Sequence, residues 1–258
     1  MSASATLTDP SATTRADGAV ARRLIVAWQH PHSRKIHPVG VLEQAFDGSY
    51  AFAYLRRARD VEGFRPFLGF PDLTRRYESS ALFPLFAQRV MDSRRPDYET
   101  YMHTLGLPED AAPMEVLARS GGHRSGDTIQ LVPEPLVETD GTTWCRFLVH
   151  GIRHRPGAGE RITALRAGDE LALRDEPDNP KNSRAVLVAA NDEQPLGWVP
   201  DLLLDYVHHV RARSEPLVRV EQANGENVPP HLRLLVSLSG TVAPGYRPFT
   251  GPGWETLA

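Results

Sequence analysis

The sequence predicts an α+β protein in which a small N-terminal sheet with helices precedes a mainly-β, barrel-like domain with one clear helix. Two observations predict this order. Strand-like and then helix-like segments fill the first half, whereas six short, closely spaced strand-like segments fill the second. The expected organisation is a disordered tail at 1–20, an α+β domain at 21–134, a linker at 135–143, a barrel-like domain at 144–241 and a loosely held tail at 242–258.

The first half contains three strand-like segments followed by three helix-like ones. Alternating apolar, β-branched and aromatic residues predict strands in LIVAWQH, HPVGVLEQ and SYAFAYL, and Asp47-Gly48 is a hairpin signal before the third. Helices are predicted in SSALFPLFAQRVMDSR, PDYETYMHTLGL and PMEVLARSGG, the last of which ends at Gly121-Gly122. A strand in GDTIQLVPEP closes this half.

The second half consists mainly of strand-like segments. One helix is predicted in PDLLLDYVHHVRAR, where apolar residues recur at a spacing of three and four and Pro200 suits the first turn. The six predicted strands are WCRFLVHGI, DELALRDE, RAVLVAA, QPLGWV, PLVRVEQ and LRLLVSLSG.

Composition restricts the class of protein. The 258 residues carry 29 Lys and Arg against 32 Asp and Glu, so any nucleic-acid site must be local. The single cysteine, Cys145, excludes an internal disulfide framework and fits a reducing compartment. The N-terminus lacks the apolar core of a signal peptide, and no window approaches the ~20 apolar residues of a membrane helix. We therefore expect a cytoplasmic protein without a membrane partner.

The sequence lacks the common signatures of catalysis. It has no phosphate-binding GxxxxGK[ST] loop, no GxSxG elbow, no HExxH and no CxxC. Cys145 lies in an apolar strand, which favours a packed thiol over a nucleophile. Acidic pairs such as Asp175-Glu176 fall in turns and are interpreted as solubility charges. We therefore predict no catalytic residue, no cofactor and no enzymatic activity.

One histidine cluster leaves two interpretations open. His30, His32 and His37 are close in sequence, and His-x-His is compatible with a metal on an extended strand. Arg34 and Lys35 lie beside them, however, and no carboxylate or thiolate completes a shell. The pattern favours a polar surface turn, so no metal site is predicted.

Three segments of the second half carry a resemblance to a known family. FLVHGIRHRPG, GDELALRDEPDNPKNSRAVLV and LGWVP, with a helix directly after it, occur in the order and spacing of the HIRAN domain. The resemblance covers Trp144 to Gly240. HIRAN domains are small OB/SH3-like barrels that bind DNA, known best from replication-fork remodelling helicases. The resemblance therefore implies a DNA-binding module.

The same segments supply residues suited to nucleic acid. Arginine in a polar loop meets phosphate, amide groups bond to sugar or backbone, and a flat ring stacks on a base. Gly151 permits a sharp turn, and Gly197 permits close packing beside the tryptophan. The predicted nucleic-acid-binding residues are Arg153, His154, Arg155, Asn179, Lys181, Asn182 and Trp198.

The sequence departs from the HIRAN pattern at three of these positions. The family commonly has Asn-Pro-Tyr-Asp, in which the aromatic stacks on a base and the acid accepts a hydrogen bond from a free 3′-hydroxyl. Here Lys181 replaces the aromatic, Asn182 replaces the acid, and His154 replaces a second aromatic. Lysine attracts phosphate but has no ring face, whereas the asparagine oxygen can still accept a hydrogen bond. Single-stranded DNA binding is expected, and specificity for a 3′ end is left open.

Two alternatives stand beside DNA binding. Asp, Asn and Pro suit any long hairpin, and Arg153 with Arg155 can simply keep a loop soluble. The first half, through VGVL, YESSALFPLFAQR and VLARSGG, resembles the N-terminal subdomain of HipA-type toxin kinases over Leu24 to Val132, without the kinase domain. That resemblance implies a surface for a protein partner. The sequence thus favours a protein of DNA repair or replication-associated processing, and the alternative is an adaptor that docks a helicase, nuclease or regulator.

Overall fold

The computed structural model describes residues 20–124, 126–190 and 194–258 and confirms the α+β class. Two antiparallel sheets contain most of the regular structure, and the helices are short. The predicted tail at 1–20 lies outside the described residues, apart from Val20, which begins the first strand.

The first sheet has five strands, whose order from edge to edge is Tyr77–Ser79, Tyr50–Tyr54, Ile36–Ala45, Val20–Gln29 and Ile129–Pro133. Its core packs Phe52, Tyr54 and Phe70 against the short helices, and the ring centroids of Phe52 and Phe70 lie 4.5 Å apart. The elements are β1 (Val20–Gln29), β2 (Ile36–Ala45), β3 (Tyr50–Tyr54), β4 (Tyr77–Ser79), α1 (Pro84–Ala87), α2 (Tyr98–Thr104), α3 (Pro113–Ser120) and β5 (Ile129–Pro133).

The second sheet has seven strands, whose order from edge to edge is Pro195–Trp198, Val186–Ala189, Glu170–Asp175, Leu217–Ala223, Leu234–Thr241, Thr142–Leu148 and Leu136–Val137. All six strands predicted from the second half are present, and the strand Leu136–Val137 is added at one edge. The elements are β6 (Leu136–Val137), β7 (Thr142–Leu148), α4 (Ala158–Ala164), β8 (Glu170–Asp175), β9 (Val186–Ala189), β10 (Pro195–Trp198), α5 (Leu204–Arg213), β11 (Leu217–Ala223) and β12 (Leu234–Thr241).

The second sheet curls until its far strands meet at one residue pair. His150, just beyond β7, pairs with Trp198 of β10 through two backbone hydrogen bonds of 2.9 Å. A single pair is not a ladder, so the described strands form a curled sheet and no closed barrel. The curl brings the turn after β7 and the loop after β8 to the same end of the sheet, which is where the predicted site residues lie.

The segments predicted to be a linker and a loose tail are both packed. Leu136 of the supposed linker pairs with Trp144 of β7. In the supposed tail, Phe249 is buried, the Leu257 amide donates to the Tyr54 carbonyl at 2.9 Å, and Trp254 lies 4.3 Å beneath the Arg57 guanidinium. Both predictions were wrong because sequence composition suggested polar or Pro/Gly-rich loops, whereas the apolar side chains in them find partners far along the chain.

The helix predictions need two corrections. The segment predicted as one long helix from Ser79 is helical only at Pro84–Ala87, because Phe83 precedes a proline and is extended (φ −56°, ψ 143°). The helix predicted in the second half is present as α5. The short α4 lies there as well and was not predicted, because its few apolar residues show no helical periodicity.

The two halves share an apolar core. Ile25, Val41 and Leu55 of the first sheet belong to the same buried cluster as Phe147 and Val236 of the second. No helix among the described residues has the length and apolar character needed to cross a membrane.

Candidate nucleic-acid interface

Glu176, the residue after β8, organises the candidate site. Its carboxylate accepts hydrogen bonds from Trp198 Nε1 at 2.6 Å, from Asn179 Nδ2 at 2.5 Å and from Arg155 Nη2 at 2.5 Å. We call these four residues the Glu176 cluster. Its side chains are mostly buried, with 24 % of Glu176 and 20 % of Arg155 exposed. The interpretation of Glu176 as a solubility charge was therefore wrong.

The hydrogen bonds decide the ionisation of Glu176. Burial acts to raise the pKa of this carboxyl, but the hydrogen bonds from Asn179, Trp198 and Arg155 outweigh burial and hold the pKa below its ordinary value. Glu176 is therefore ionised at neutral pH, and its charge balances that of Arg155.

Trp198 is fixed by contacts on several sides. The Arg155 guanidinium lies 3.9 Å from its ring centroid, and the indole N–H is engaged by Glu176. Gly151 is close enough that a Cβ there would lie 2.5 Å from Trp198 Cε3. Gly151 also has φ 71°, which confirms the predicted sharp turn. A base can stack on the ring face under Arg155 only if the guanidinium moves away.

The loop at 176–184 is shaped by its own asparagines. Asn179 Oδ1 accepts the backbone N–H groups of Lys181 at 2.9 Å and Asn182 at 3.3 Å. Asn182 Oδ1 accepts the Arg184 N–H at 3.0 Å. Side-chain-to-backbone bonds of this kind fix a turn without regular structure. As a result, Lys181 is presented at an exposed position, and one acceptor site of Asn182 is already used.

Two exposed cations flank the Glu176 cluster. Arg153 donates from Nε to His154 Nε2 at 3.0 Å, in the 3₁₀ turn Ile152–His154. Within the described residues, neither Arg153 nor Lys181 has a carboxylate oxygen within 4.0 Å. Lys181 and Asn182 are both near Asp201. Burial raises the pKa of the Asp201 carboxyl above its ordinary value, against smaller opposing effects of a hydrogen bond from Asn182 and of the positive charge of Lys181. Arg153 and Lys181 are thus the charges in these loops that remain available to a phosphate.

The structure places the predicted site residues in two joined loops and at the end of β10. Arg155, Asn179 and Trp198 meet on Glu176, and the Asn179 side chain holds Lys181 and Asn182. Arg153 and His154 directly precede Arg155 in the chain. The binding roles of the seven residues stay predictions. Sequence reasoning missed Glu176 because nothing local distinguishes it from its neighbour Asp175.

A group of histidines lies beside this site. Burial lowers the pKa of His150 to about 4, with a smaller effect in the same direction from His123. Burial, with His123 and His150 nearby, also lowers the pKa of His231 to about 4. The rings of His123 and His231 lie 4.6 Å apart. These imidazoles are therefore neutral in the folded protein at physiological pH.

Because these imidazoles are neutral in the folded protein, we expect the free energy of unfolding to decrease in acid. In the unfolded chain the same imidazoles take up protons near pH 6.5, so the unfolded state binds more protons than the folded state below that pH. His150 is the least exposed of the three, and its folded pKa of about 4 should lower the free energy of unfolding, measured by urea titration, by about 2 kcal/mol from pH 7 to pH 5. His123 and His231 are exposed to solvent, which screens their contribution. His150→Gln should therefore remove most of this decrease, and an identical decrease in the variant would contradict the assignment to His150.

Two other sequence interpretations concern metal and thiol chemistry. His30 Nδ1 accepts the backbone N–H groups of His32 at 3.2 Å and Ser33 at 3.1 Å, as in a surface turn. In the part of the chain that the structure describes, no three His, Cys, Asp or Glu residues are placed to hold a metal ion. Burial raises the pKa of Cys145 to about 12, so this thiol is a neutral core group, as predicted.

Two solved structures are similar to part of this chain. A protein from Lactobacillus plantarum is 18% identical over 40% of this chain and all of its own, with a TM-score of 0.33. The HIRAN domain of human HLTF is 16% identical over 41% of this chain and 83% of its own, with a TM-score of 0.31. No protein-family model and no curated protein matches the chain. At these TM-scores neither likeness establishes a shared function, and neither supports the HipA-like interpretation of the first half.

Proposed function

We propose that the second half binds single-stranded or end-exposed DNA through the 152–155 turn and the 176–184 loop. The observation that carries this proposal is the pair of exposed cations, Arg153 and Lys181, on two loops that Glu176 ties together. Neither cation has an ion-pair partner among the described residues, so a phosphate can approach both without displacing a carboxylate. The chain as a whole has a net charge of −3, so attraction to DNA must be confined to this patch.

Each residue of the patch has a proposed role. Arg153 and Lys181 contact phosphate, and Asn182 contacts sugar through its second acceptor lone pair. The exposed His154 ring stacks on a base. Trp198 and Arg155 hold the loop in place, and Trp198 offers a second stacking surface when the guanidinium moves aside. A role in DNA repair or replication-associated processing rests on the HIRAN resemblance alone.

The proposal is tested by a salt-dependent titration. We expect the double variant Arg153→Ala, Lys181→Ala to bind a fluorescently labelled single strand of 12 nucleotides more weakly than wild type. For single strands, each lost phosphate contact reduces the magnitude of the negative slope of log K against log salt by about 0.7. The slope of the double variant should therefore be shallower than that of wild type by about 1.4. The titration is followed by fluorescence anisotropy at three salt concentrations.

A matched control uses two exposed arginines of the first half. Arg94 and Arg95 have side chains that are 88 % and 58 % exposed, and Ala at both positions should leave affinity and slope unchanged. Equal affinity and slope in wild type and in the Arg153, Lys181 double variant would rule out this assignment of the site.

The chemistry of Asn182 predicts how the protein treats a strand end. Its carboxamide is uncharged, and its oxygen already accepts the Arg184 N–H. It is therefore a weaker acceptor for a 3′-hydroxyl than a carboxylate. We expect oligonucleotides ending in 3′-hydroxyl and 3′-phosphate to bind with Kd values within about twofold of each other, measured by the same titration. A preference of more than about tenfold for the 3′-hydroxyl would contradict this prediction.

A second candidate function concerns the first half. Leu68 is 95% exposed and Phe46 is 57% exposed, and large apolar side chains at the surface often mark protein contacts. An adaptor that docks a helicase, nuclease or regulator through this half would fit these residues. Leu68→Ser with Phe46→Ser should then abolish binding of such a purified partner and leave DNA binding intact.

A further inference from the structure

A cavity of about 510 Å³ lies between the two halves and is lined by none of the residues of the Glu176 cluster. Its walls come from the start of β1, from α3, from residues 133–139, from β7 and from residues 243–247. Pockets that bury small organic ligands have volumes of roughly 300–1,000 Å³. The cavity is therefore large enough for a ligand rather than only for water.

Arginines outnumber acidic residues among the side chains that line the cavity. Five arginines line it against three glutamates, and no lysine or aspartate is present in the wall. The guanidinium group matches the geometry of phosphate and carboxylate, to which it can donate two parallel hydrogen bonds. The charged wall residues are Arg22, Arg23, Arg119, Arg146, Arg247, Glu115, Glu134 and Glu138.

Contacts with acidic residues set the directions of several of these arginines. Arg22 and Arg119 share the Glu115 carboxylate at 3.7 and 4.0 Å, and Arg23 lies 3.4 Å from both Glu43 and Glu134. Arg146 Nε lies 3.2 Å from Glu221. Glu43 and Glu221 are outside the wall, and Arg247 is the wall arginine with no ion-pair partner among the described residues. Such contacts hold the guanidinium groups in place before a ligand arrives, which lowers the entropic cost of binding. The wall is thus positioned in advance for an anionic group.

Aromatic rings supply the apolar side of the cavity. The Arg146 guanidinium lies 4.4 Å from the ring centroid of Trp144 in β7. Tyr246 is stacked on His209 with centroids 4.2 Å apart, which fixes its orientation. Both residues line the cavity, and aromatic side chains pack favourably against a flat ligand. The arginines and these rings together match a molecule that combines a flat ring with an anionic group.

We propose that this cavity binds a small organic anion that joins a flat ring system to a phosphate group, the chemical class of the nucleoside monophosphates. Guanidinium groups contact the phosphate, and Trp144 with Tyr246 packs against the ring. The proposal is independent of DNA binding by the second half, because the two sites share no residue.

The test is calorimetric titration of the full chain with each of four probes: adenosine, guanosine, cytidine and uridine monophosphate. At least one should bind with Kd below about 1 mM. Inorganic phosphate alone and the matching nucleoside alone should each bind at least about tenfold more weakly, because each has only half of the recognised groups. A 12-nucleotide single strand should not compete.

Two variants test whether the nucleotide binds in this cavity. Arg247 is exposed and has no hydrogen bond or ion pair from its side chain to the described residues, so Arg247→Ala should leave the fold intact and weaken binding about tenfold. Ala118→Phe adds a ring to the wall and should abolish binding. Arg94→Ala, outside the wall, should bind as wild type does.

The proposal is overturned by any of three results: none of the four nucleotides binds, inorganic phosphate binds as tightly as the best nucleotide, or Arg247→Ala and Ala118→Phe both bind as wild type does. Competition by the 12-nucleotide strand would overturn the assignment to a free nucleotide. These results are distinguishable from failure of DNA binding, which is measured separately with the Arg153, Lys181 double variant.

Discussion

Glu176→Ala is expected to lower the free energy of unfolding by about 3 kcal/mol. The substitution leaves the Trp198 indole N–H and the Asn179 amide without their acceptor, and it leaves the mostly buried Arg155 charge without its partner. Removing one member of a buried ion pair typically costs about 3–5 kcal/mol, and the partial exposure of this pair places the expected value at the low end. Urea unfolding at pH 7 measures the change.

The neighbouring carboxylate gives a matched control. Asp175 forms an ion pair with Arg211, but its side chain is 58 % exposed. An exposed ion pair contributes at most about 1 kcal/mol, so Asp175→Ala should be much milder. Equal losses of stability in the two variants would mean that Glu176 does not organise the loops.

Glu176 also predicts how stability depends on pH. Because the folded pKa is lowered, its stabilisation is complete above the unfolded value near pH 4.3 and is lost as the pH falls through the folded value. The Glu176→Ala and wild-type proteins should therefore converge in stability only under acidic conditions.

Gly197→Ala is expected to lower the free energy of unfolding by about 2–3 kcal/mol. A Cβ at this position would overlap the His150 carbonyl oxygen and lie 2.6 Å from Val149 Cγ1. His150 belongs to the residue pair that joins the two ends of the curled sheet, so the backbone cannot retreat without breaking its bonds to Trp198. Overpacking of this kind typically costs about 1–3 kcal/mol. Thermal and urea unfolding measure the loss.

A glycine in open space serves as the comparison. A Cβ on Gly245 would meet nothing within 4 Å, although its φ of 81° disfavours alanine. Gly245→Ala should therefore cost only about 1 kcal/mol through backbone strain. If Gly197→Ala were no more costly than Gly245→Ala, the close contact between Gly197 and His150 would be wrong.

Much of the second half could be predicted because its signals are local. Each strand there is a short β-branched or apolar run bounded by turn residues, as in RAVLVAA and PLVRVEQ. Such a strand can be recognised from the local sequence without knowledge of contacts between distant residues. The close packing at Gly197 was likewise predicted from its position beside Trp198, and the structure confirms it.

The parts that sequence reasoning missed depend on distant contacts. Trp198 reaches Glu176 across 22 residues, and Arg57 reaches the Gly253 carbonyl across 196 residues. No local pattern identifies such partners, so Glu176 was interpreted as a surface charge. Base stacking on Trp198 was predicted from its flat ring alone, and only the structure places Arg155 over it.

Hydrogen–deuterium exchange with and without a single-stranded oligonucleotide tests most directly whether the loops around Glu176 bind DNA. We predict that saturating oligonucleotide slows amide exchange at 151–157 and 176–184 and leaves the first sheet unchanged. Binding accompanied by protection elsewhere, with none in these two segments, would contradict the proposed interface.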